Sequence, residues 1–304
     1  MITRDPADFA AFIESGRLVP NGPQAPRGVF MVEPVNFRVS AESAQDNAYM
    51  ATGRETDPDR ALEQYIKLVS LIRDIGVPVK SFPGDPRTPD DVFPNNVFGT
   101  VPGRLVVGSM LHENRRLEAG RQDIRSWFES RGYAILDLSQ KECIAELTGV
   151  LVIDRPRHIG YCGMTARVDD AGVRAMHEAF GLHCTFQFDL AAGEYHTNVI
   201  LSVLAGRACV MHTHSIADSH VARAIADAYG GRAIFLDEAE KAAFAGNCIA
   251  LTHNDLFMSQ GAADTLRRSN RALLETWGFR IRATPLDEIE KAGGSLRCMV
   301  GEIY

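Results

Sequence analysis

The sequence contains no CxxC pair, although it has six cysteines, at 143, 162, 184, 209, 248 and 298. That removes the common thiolate metal knuckle and the dithiol redox motif. Most of the six sit in apolar, strand-like runs such as Ile159-Gly160-Tyr161-Cys162. They read as reduced, buried thiols of a cytoplasmic protein rather than a disulfide framework. GxGxxG and GxxxxGK[ST] are both absent, so no glycine-rich phosphate loop is expected. The GxSxG serine elbow is absent too. There is no basic excess: 32 Lys+Arg stand against 39 Asp+Glu, a net charge of −7. A nucleic-acid or anionic-membrane surface needs clustered Lys/Arg, so neither partner is expected. No apolar run approaches the roughly 20 residues of a spanning helix. The N-terminus lacks the apolar core of a signal peptide, and no low-complexity linker divides the chain.

A recurring order of elements is present instead. After a Pro/Gly-containing surface arm over residues 1–27, the spacing predicts strand, strand, helix, strand, four times over. The first unit takes residues 96–100, 104–110, 115–131 and 133–138. The second takes 149–154, 158–163, 170–180 and 183–190. The third takes 198–203, 208–212, 215–229 and 232–237. The fourth takes 247–252, 255–259, 262–277 and 279–284. A period of about 40 to 50 residues is the mark of a repeat or propeller. The leftover pieces make a fifth unit from both chain ends: strands 298–304 and 28–33, helix 59–75 and strand 77–82. The helix face is expected to carry Leu62, Tyr65, Ile66, Val69 and Ile72. The expected fold is α/β: one domain over 1–304, a five-unit ring of ββαβ repeats around a central channel, closed by both chain ends.

In such a ring, function belongs at the starts of corresponding strands. Gly293-Gly294-Ser295-Leu296-Arg297-Cys298 presents a cysteine there, with two glycines for a tight turn and Arg297 to favour the thiolate. Cys298 is thus a candidate nucleophile, and a small buried hydrophobe is the alternative. His196, in Glu194-Tyr195-His196-Thr197-Asn198, sits where a loop enters a strand. It suits a general acid/base, or a histidine satisfied by the backbone. A cysteine nucleophile needs such a partner. Glu146 precedes an apolar strand and could orient His196 or hold the protons of a nitrogenous substrate. A solvated loop carboxylate is the other reading. Asp90-Asp91-Val92-Phe93-Pro94-Asn95-Asn96 offers two carboxylates and two amides on an anchored loop. Arg167 could pair with a substrate carboxylate or form a surface ion pair. His212-Thr213-His214, with Asp218 and His220, has metal-like spacing. Alternate histidines at a strand end are common by chance, so no metal is expected.

The phrases MVEPVNF (31–37), DDVFPNNVFGT (90–100), NRRLE (114–118), ELTG (146–149), GMTARVD (163–169), EYHTN (194–198), GN (246–247) and GGSLRCM (293–299) carry a resemblance. In that combined order the chain resembles the amidinotransferase/arginine deiminase superfamily, whose fold is the five-bladed α/β propeller, the pentein. In pattern it looks most like the citrulline-utilisation hydrolases, and more distantly like the dimethylarginine dimethylaminohydrolases. The resemblance implies a nucleophile at Cys298, a general acid/base at His196 and a catalytic carboxylate at Glu146. It implies substrate binding by Asp90, Asn95, Asn96, Arg167 and Asn198, with no metal and no cofactor. Asn96 and Asn198 stand where guanidine-modifying relatives have aspartates. A guanidinium has only donors and wants carboxylates, whereas a neutral ureido group has both donor and acceptor and suits amides. The expected activity is hydrolysis of citrulline through an S-carbamoyl enzyme, giving ornithine, carbon dioxide and ammonia. A guanidino hydrolase, an amidinotransferase and a non-catalytic amino-acid-binding pentein are the alternatives. The apolar arm would cover either the chain's own channel or a neighbour in a homo-oligomer.

Overall fold

The computed structural model describes residues 1–304 except 17 and 19. Its strands form five sheets. Each has a first strand antiparallel to a central strand, which is parallel to a third. In chain order after the N-terminal elements, the sheets are Phe98–Val101/Arg104–Val107/Ala134–Asp137, Leu151–Asp154/Ile159–Met164/Cys184–Asp189, Leu201–Leu204/Ala208–Met211/Ala233–Phe235 and Ile249–Ala250/Asp255–Ser259/Arg280–Thr284. The remaining sheet joins the chain ends: Gly301–Ile303 pairs with Gly28–Val32, which pairs with Val79–Phe82. Central strands such as Gly28–Val32 and Ala208–Met211 are buried at every residue. Strands covered on both faces read as unbroken apolar runs, as these do.

A helical crossover links each central strand to its parallel third strand. The helix Pro58–Asp74 begins with Asp57 capping the Arg60 N–H and with proline in its first turn. Its buried face is Ala61, Tyr65, Leu68, Val69 and Ile72. Leu62 and Ile66, expected on that face, are exposed. Ala61 and Leu68 lie inside instead, so the helix is rolled by part of a turn from the predicted orientation.

Two predicted helices are each broken in two. Residues 115–131 become Glu113–Ala119 and Gln122–Glu129. Arg121 is extended at the break (ψ 109°), where its guanidinium reaches Asp91, Asp123 and the Pro83 carbonyl. Residues 262–277 become Gln260–Thr265 and Arg268–Thr276. There the Arg267 N–H and side chain are held by the buried Glu240. Tertiary bonds override helical periodicity at both breaks.

The expected surface arm is also different. Ile2–Thr3 add a parallel strand beside Cys184–Asp189, and Pro6–Glu14 is helical. Phe9 is fully buried and stacks on Phe186 at 4.4 Å. Arg17 and Val19 of the arm lie outside the described residues. Among the described residues, no helix is long and apolar enough to cross a membrane.

First strands of neighbouring sheets touch: Gly301–Ile303 with Phe98–Val101, Leu151–Asp154 with Leu201–Leu204, and the latter with Ile249–Ala250. Four short helical turns lead into first strands: Pro94–Asn96, Leu147–Val150, Thr197–Ile200 and Leu296–Met299. The turns pack on one another, Leu147–Val150 against both Pro94–Asn96 and Thr197–Ile200, and Pro94–Asn96 against Leu296–Met299. The candidate residues therefore sit in or beside these turns, not in the strands. Cys298 is within a turn, rather than at the first position of a strand.

Candidate active site

Glu146 is fully buried at the entrance to the turn Leu147–Val150. The next residue, Leu147, has φ +26°, a strained value for a side chain of its kind. The Glu146 carboxylate points inward, away from solvent. Its Oε2 lies 2.8 Å from His196 Nε2, and Arg167 Nη1 donates to both carboxylate oxygens at 3.1 Å. Burial alone would raise the Glu146 carboxyl, but Arg167 and His196 overcome it and hold it well below its usual range. Glu146 is therefore an ionised acceptor, so His196 Nε2 carries the hydrogen. In the neutral ring Nδ1 is left to exchange protons. Burial pulls the imidazole down more strongly than Glu146 raises it, which favours that neutral form. Tyr195 packs its ring 4.3 Å from the His196 ring and donates from its hydroxyl to the Gly293 carbonyl at 2.6 Å. Gly149 leaves room for the imidazole: a Cβ there would stand 2.8 Å from His196 Cε1.

Cys298 is buried. Asn247 Nδ2 donates to its Sγ at 3.2 Å and to the Asn198 carbonyl at 2.9 Å. Asn198 Oδ1 lies 3.8 Å from Sγ. Burial pushes the thiol up, and the Asn247 hydrogen bond offsets only part of that. Arg297 pairs with Glu302 at 2.9 Å and donates to the Val300 carbonyl; its charge still pulls the thiol down, as expected, but by less than the Asn247 hydrogen bond. Asn247 is the closer donor. Its place was readable, because it opens the last repeat in the register where the other turns carry candidate residues.

Asp90, Asn96, Arg115, Arg167, His196 and Cys298 line one cavity. Ser43, Asn47 and Met50, from the segment before the helix Pro58–Asp74, line it as well. Nothing in the pattern of that segment signals the contribution. Asp90 Oδ2 accepts from Ser43 at 2.6 Å and Asn114 at 2.9 Å, while its buried Oδ1 has no partner. Arg115 binds the Asp90 and Phe93 carbonyls and Asn96 Oδ1. Since guanidinium is a donor only, Asn96 is left with its NH2 to offer a ligand.

The other predicted residues have different surroundings. Every polar group of the Arg167 guanidinium has a partner within the chain: Nη1 on Glu146, and Nε and Nη2 on Asp46 at 2.6 and 2.7 Å. Asn95 ties two turns together through Thr148, by Nδ2 to its carbonyl at 3.4 Å and by its own carbonyl from the Thr148 hydroxyl at 2.7 Å. Asn198 lines a second cavity with Arg155, Arg297 and Glu302, and its buried Nδ2 is unpartnered. The described residues offer one cluster with metal-ligand character: His212, His214 and Glu238, away from this cavity. Asp218 and His220 do not join it and pair with each other at 2.9 Å.

A buried Cys/His/Glu set beside a cavity with an unpartnered carboxylate oxygen, on repeated three-stranded sheets, defines a class: the pentein-like mixed α/β proteins. The chain belongs to the family described as N,N dimethylarginine dimethylhydrolase, eukaryotic, whose model matches residues 33–304, and with it to the amidinotransferase superfamily. It is 26% identical over 275 residues to the bifunctional arginine dihydrolase/ornithine cyclodeaminase ArgZ of Synechocystis sp.. That match takes 81% of this chain but 33% of ArgZ, so the chain spans about a third of that relative's length. The N-terminal domain of ArgZ, solved as a cysteine-to-serine mutant bound to substrate, superposes with a TM-score of 0.79 at 22% identity, covering 90% of this chain and 97% of the domain. The same domain has been solved as an asparagine-to-serine variant covalently bound to a reaction intermediate. A dimethylarginine dimethylaminohydrolase adduct with S-methyl-L-thiocitrulline gives a TM-score of 0.69 at 19% identity, covering 91% of this chain and all of that one. These structural likenesses establish a shared mixed α/β fold.

Proposed function

We propose that this chain hydrolyses the terminal carbon of an arginine-type side chain through a covalent adduct on Cys298. The observation that carries the reading is the single cavity lined by Cys298, His196 and Asp90, with His196 backed by the buried Glu146 and Asp90 keeping an unpartnered Oδ1. The Cys298 thiolate adds to the guanidino carbon. His196, held by Glu146, protonates the departing nitrogen and then deprotonates the water that releases the adduct. Asp90 receives the N–H groups of the substrate's charged end. Asn96 offers its NH2 to an oxygen on the reacting carbon, and Asn198 supports Cys298 from the far side. Carried through twice, the chemistry turns arginine into ornithine, carbon dioxide and ammonia. The solved ArgZ domain supports this assignment, because its recorded variants touch one cysteine and one asparagine.

Hydrolysis of citrulline is a second reading. The amide of Asn96 favours it, since its NH2 matches the carbonyl of a neutral ureido group better than a carboxylate would. We also read the five sheets as one closed propeller domain. The contacts between neighbouring first strands and the shared sheet of the two chain ends support closure. Six unpaired cysteines suit a reducing cytoplasm.

The test supplies arginine, dimethylarginine and citrulline separately and measures ammonia and the amino-acid products. Arginine consumed to ornithine supports the first reading. Turnover of citrulline alone moves the assignment to the second. Cys298→Ser is expected to lose turnover and keep the wild-type melting temperature; a fully active variant would overturn the covalent route.

A further inference from the structure

The geometry points to a zinc-class divalent cation site formed by His212, His214 and Glu238, separate from the cavity that holds Cys298. The topology brings the three together. Ala208–Met211 and Ala233–Phe235 are parallel neighbours with Met211 opposite Phe235. His212 and His214 follow the end of the first, and Glu238 follows the end of the second as the opening residue of the helix Glu238–Ala242.

The hydrogen-bond polarity shows what is missing between them. Glu194 Oε1 accepts from Lys241 at 2.6 Å, and the Ser215 hydroxyl donates to the same oxygen at 2.6 Å. A hydroxyl has one hydrogen, so Ser215 must accept from His212 Nδ1 at 2.8 Å. His212 Nδ1 therefore carries the hydrogen, and Nε2 of the neutral ring presents a lone pair. That Nε2 belongs to a side chain only 2% exposed, and it has no hydrogen-bond partner. It faces Glu238 Oε1 at 3.3 Å, and His214 Nδ1 lies 3.6 Å from the same oxygen. The ligand atoms of all three residues lie within 4.8 Å of one another.

A buried lone pair on His212 Nε2 that faces a carboxylate oxygen, with a second imidazole on the same oxygen, is the arrangement a cation between them would satisfy. The spacing suits a metal. Zinc ligands at about 2.0–2.1 Å in tetrahedral array stand about 3.3–3.4 Å apart, leaving a fourth position for water. Two imidazoles and a carboxylate suit zinc rather than magnesium or calcium, which prefer oxygen alone. The Ser215–Glu194 chain is the outer support that a ligating histidine needs to fix its tautomer. It also leads to Tyr49, which donates to Glu194, and Glu194 lies two residues before His196. The bland alternative is a protonated His212 paired with Glu238.

The test is zinc titration of chelator-stripped, full-length Cys298→Ser protein by calorimetry, so that the active-site thiol takes no part. One zinc per chain is expected, with no comparable uptake of magnesium. His214→Ala and Glu238→Gln, both at exposed positions, should each weaken zinc by at least about 10–100-fold, the scale for losing even an outer support. Asp218→Ala should change nothing, and thermal melts check that each variant is folded. Zinc affinity unchanged in both ligand variants, or no zinc bound by the parent protein, would overturn the site.

Discussion

Replacing Asn247 by alanine tests whether the Cys298 thiolate is held by an amide rather than by a cation. The wild-type Asn247 Nδ2 stands 3.2 Å from Sγ, in a place where burial already pushes the thiol up. A hydrogen bond to a charged group contributes about 1.5–3 kcal/mol, and most of that applies to the thiolate alone. At 1.36 kcal/mol per pKa unit, its loss should raise the thiol by about 1–2 units. The assay is the pH dependence of Cys298 alkylation by iodoacetamide, followed at the Cys298 peptide by mass spectrometry. Below the pKa, the alkylation rate follows the thiolate fraction, so it should fall about 10–100-fold at fixed pH. Asn247→Asp should do at least as much, because it sets a carboxylate against the thiolate. The Asn198 carbonyl also loses a donor, which costs about 1–3 kcal/mol of stability. A melting curve separates that cost from the thiol effect. An unshifted alkylation profile in a folded Asn247→Ala protein would refute the reasoning.

Glu146→Gln keeps an acceptor for His196 but leaves Arg167 with only Asp46 as a carboxylate partner. Breaking a buried pair costs roughly 3–5 kcal/mol, and the retained Asp46 bonds put this case toward the lower end. Because the folded pKa of Glu146 is depressed, its stabilisation is complete above the unfolded carboxyl value and is lost as pH falls through the folded one. The gap in melting temperature between wild type and Glu146→Gln should therefore narrow below about pH 4; a gap constant from pH 7 to 3 would contradict this. Gly149→Ala places a methyl 2.8 Å from His196 Cε1. Displacing the imidazole by an ångström should lower kcat about 100-fold with little change in KM. An unchanged kcat would mean that His196 yields freely or does not act.

The repeat was legible because each unit states it locally. Apolar central strands, helical spacing and glycine or proline punctuation recur in phase, and the leftover pieces at the two ends supply the fifth set. What escaped the sequence depends on distant partners. The burial of Phe9 comes from Tyr161 and Phe186, more than 150 residues away. The break at Arg121 comes from Asp91 and Pro83, and the one at Arg267 from Glu240. Glu146 is a candidate by its place before a strand, but nothing beside it in sequence reveals that Arg167 and His196 will close over it. The Cys/His/Glu set is marked in the sequence by its common place at the starts of corresponding strands. The segment holding Ser43, Asp46 and Asn47 lies outside that register and was missed.

The polarity of Asn96 bears most directly on which carbon chemistry the cavity serves. Arg115 fixes the amide oxygen, so Asn96 faces a ligand as a donor. A guanidinium, which has donors only, gains nothing there and must find its acceptors at Asp90 and Glu146. Glu146 is already committed to Arg167 and His196, which leaves Asp90 Oδ1 as the free carboxylate oxygen. Once a first nitrogen has been replaced by oxygen, the same carbon bears a carbonyl, and the Asn96 NH2 becomes a complementary partner. An amide donor at this point therefore favours the later, oxygen-bearing stage over the initial cation. That is the polarity needed by an enzyme that continues past the ureido level to ornithine, and equally by one that starts from citrulline. Asn96→Asp should separate the stages. It improves the match to a guanidinium and opposes the oxygen-bearing adduct, so a chain that carries arginine to ornithine should instead stop at citrulline. Ornithine formed at the wild-type rate by Asn96→Asp would show that the amide has no part in the second hydrolysis.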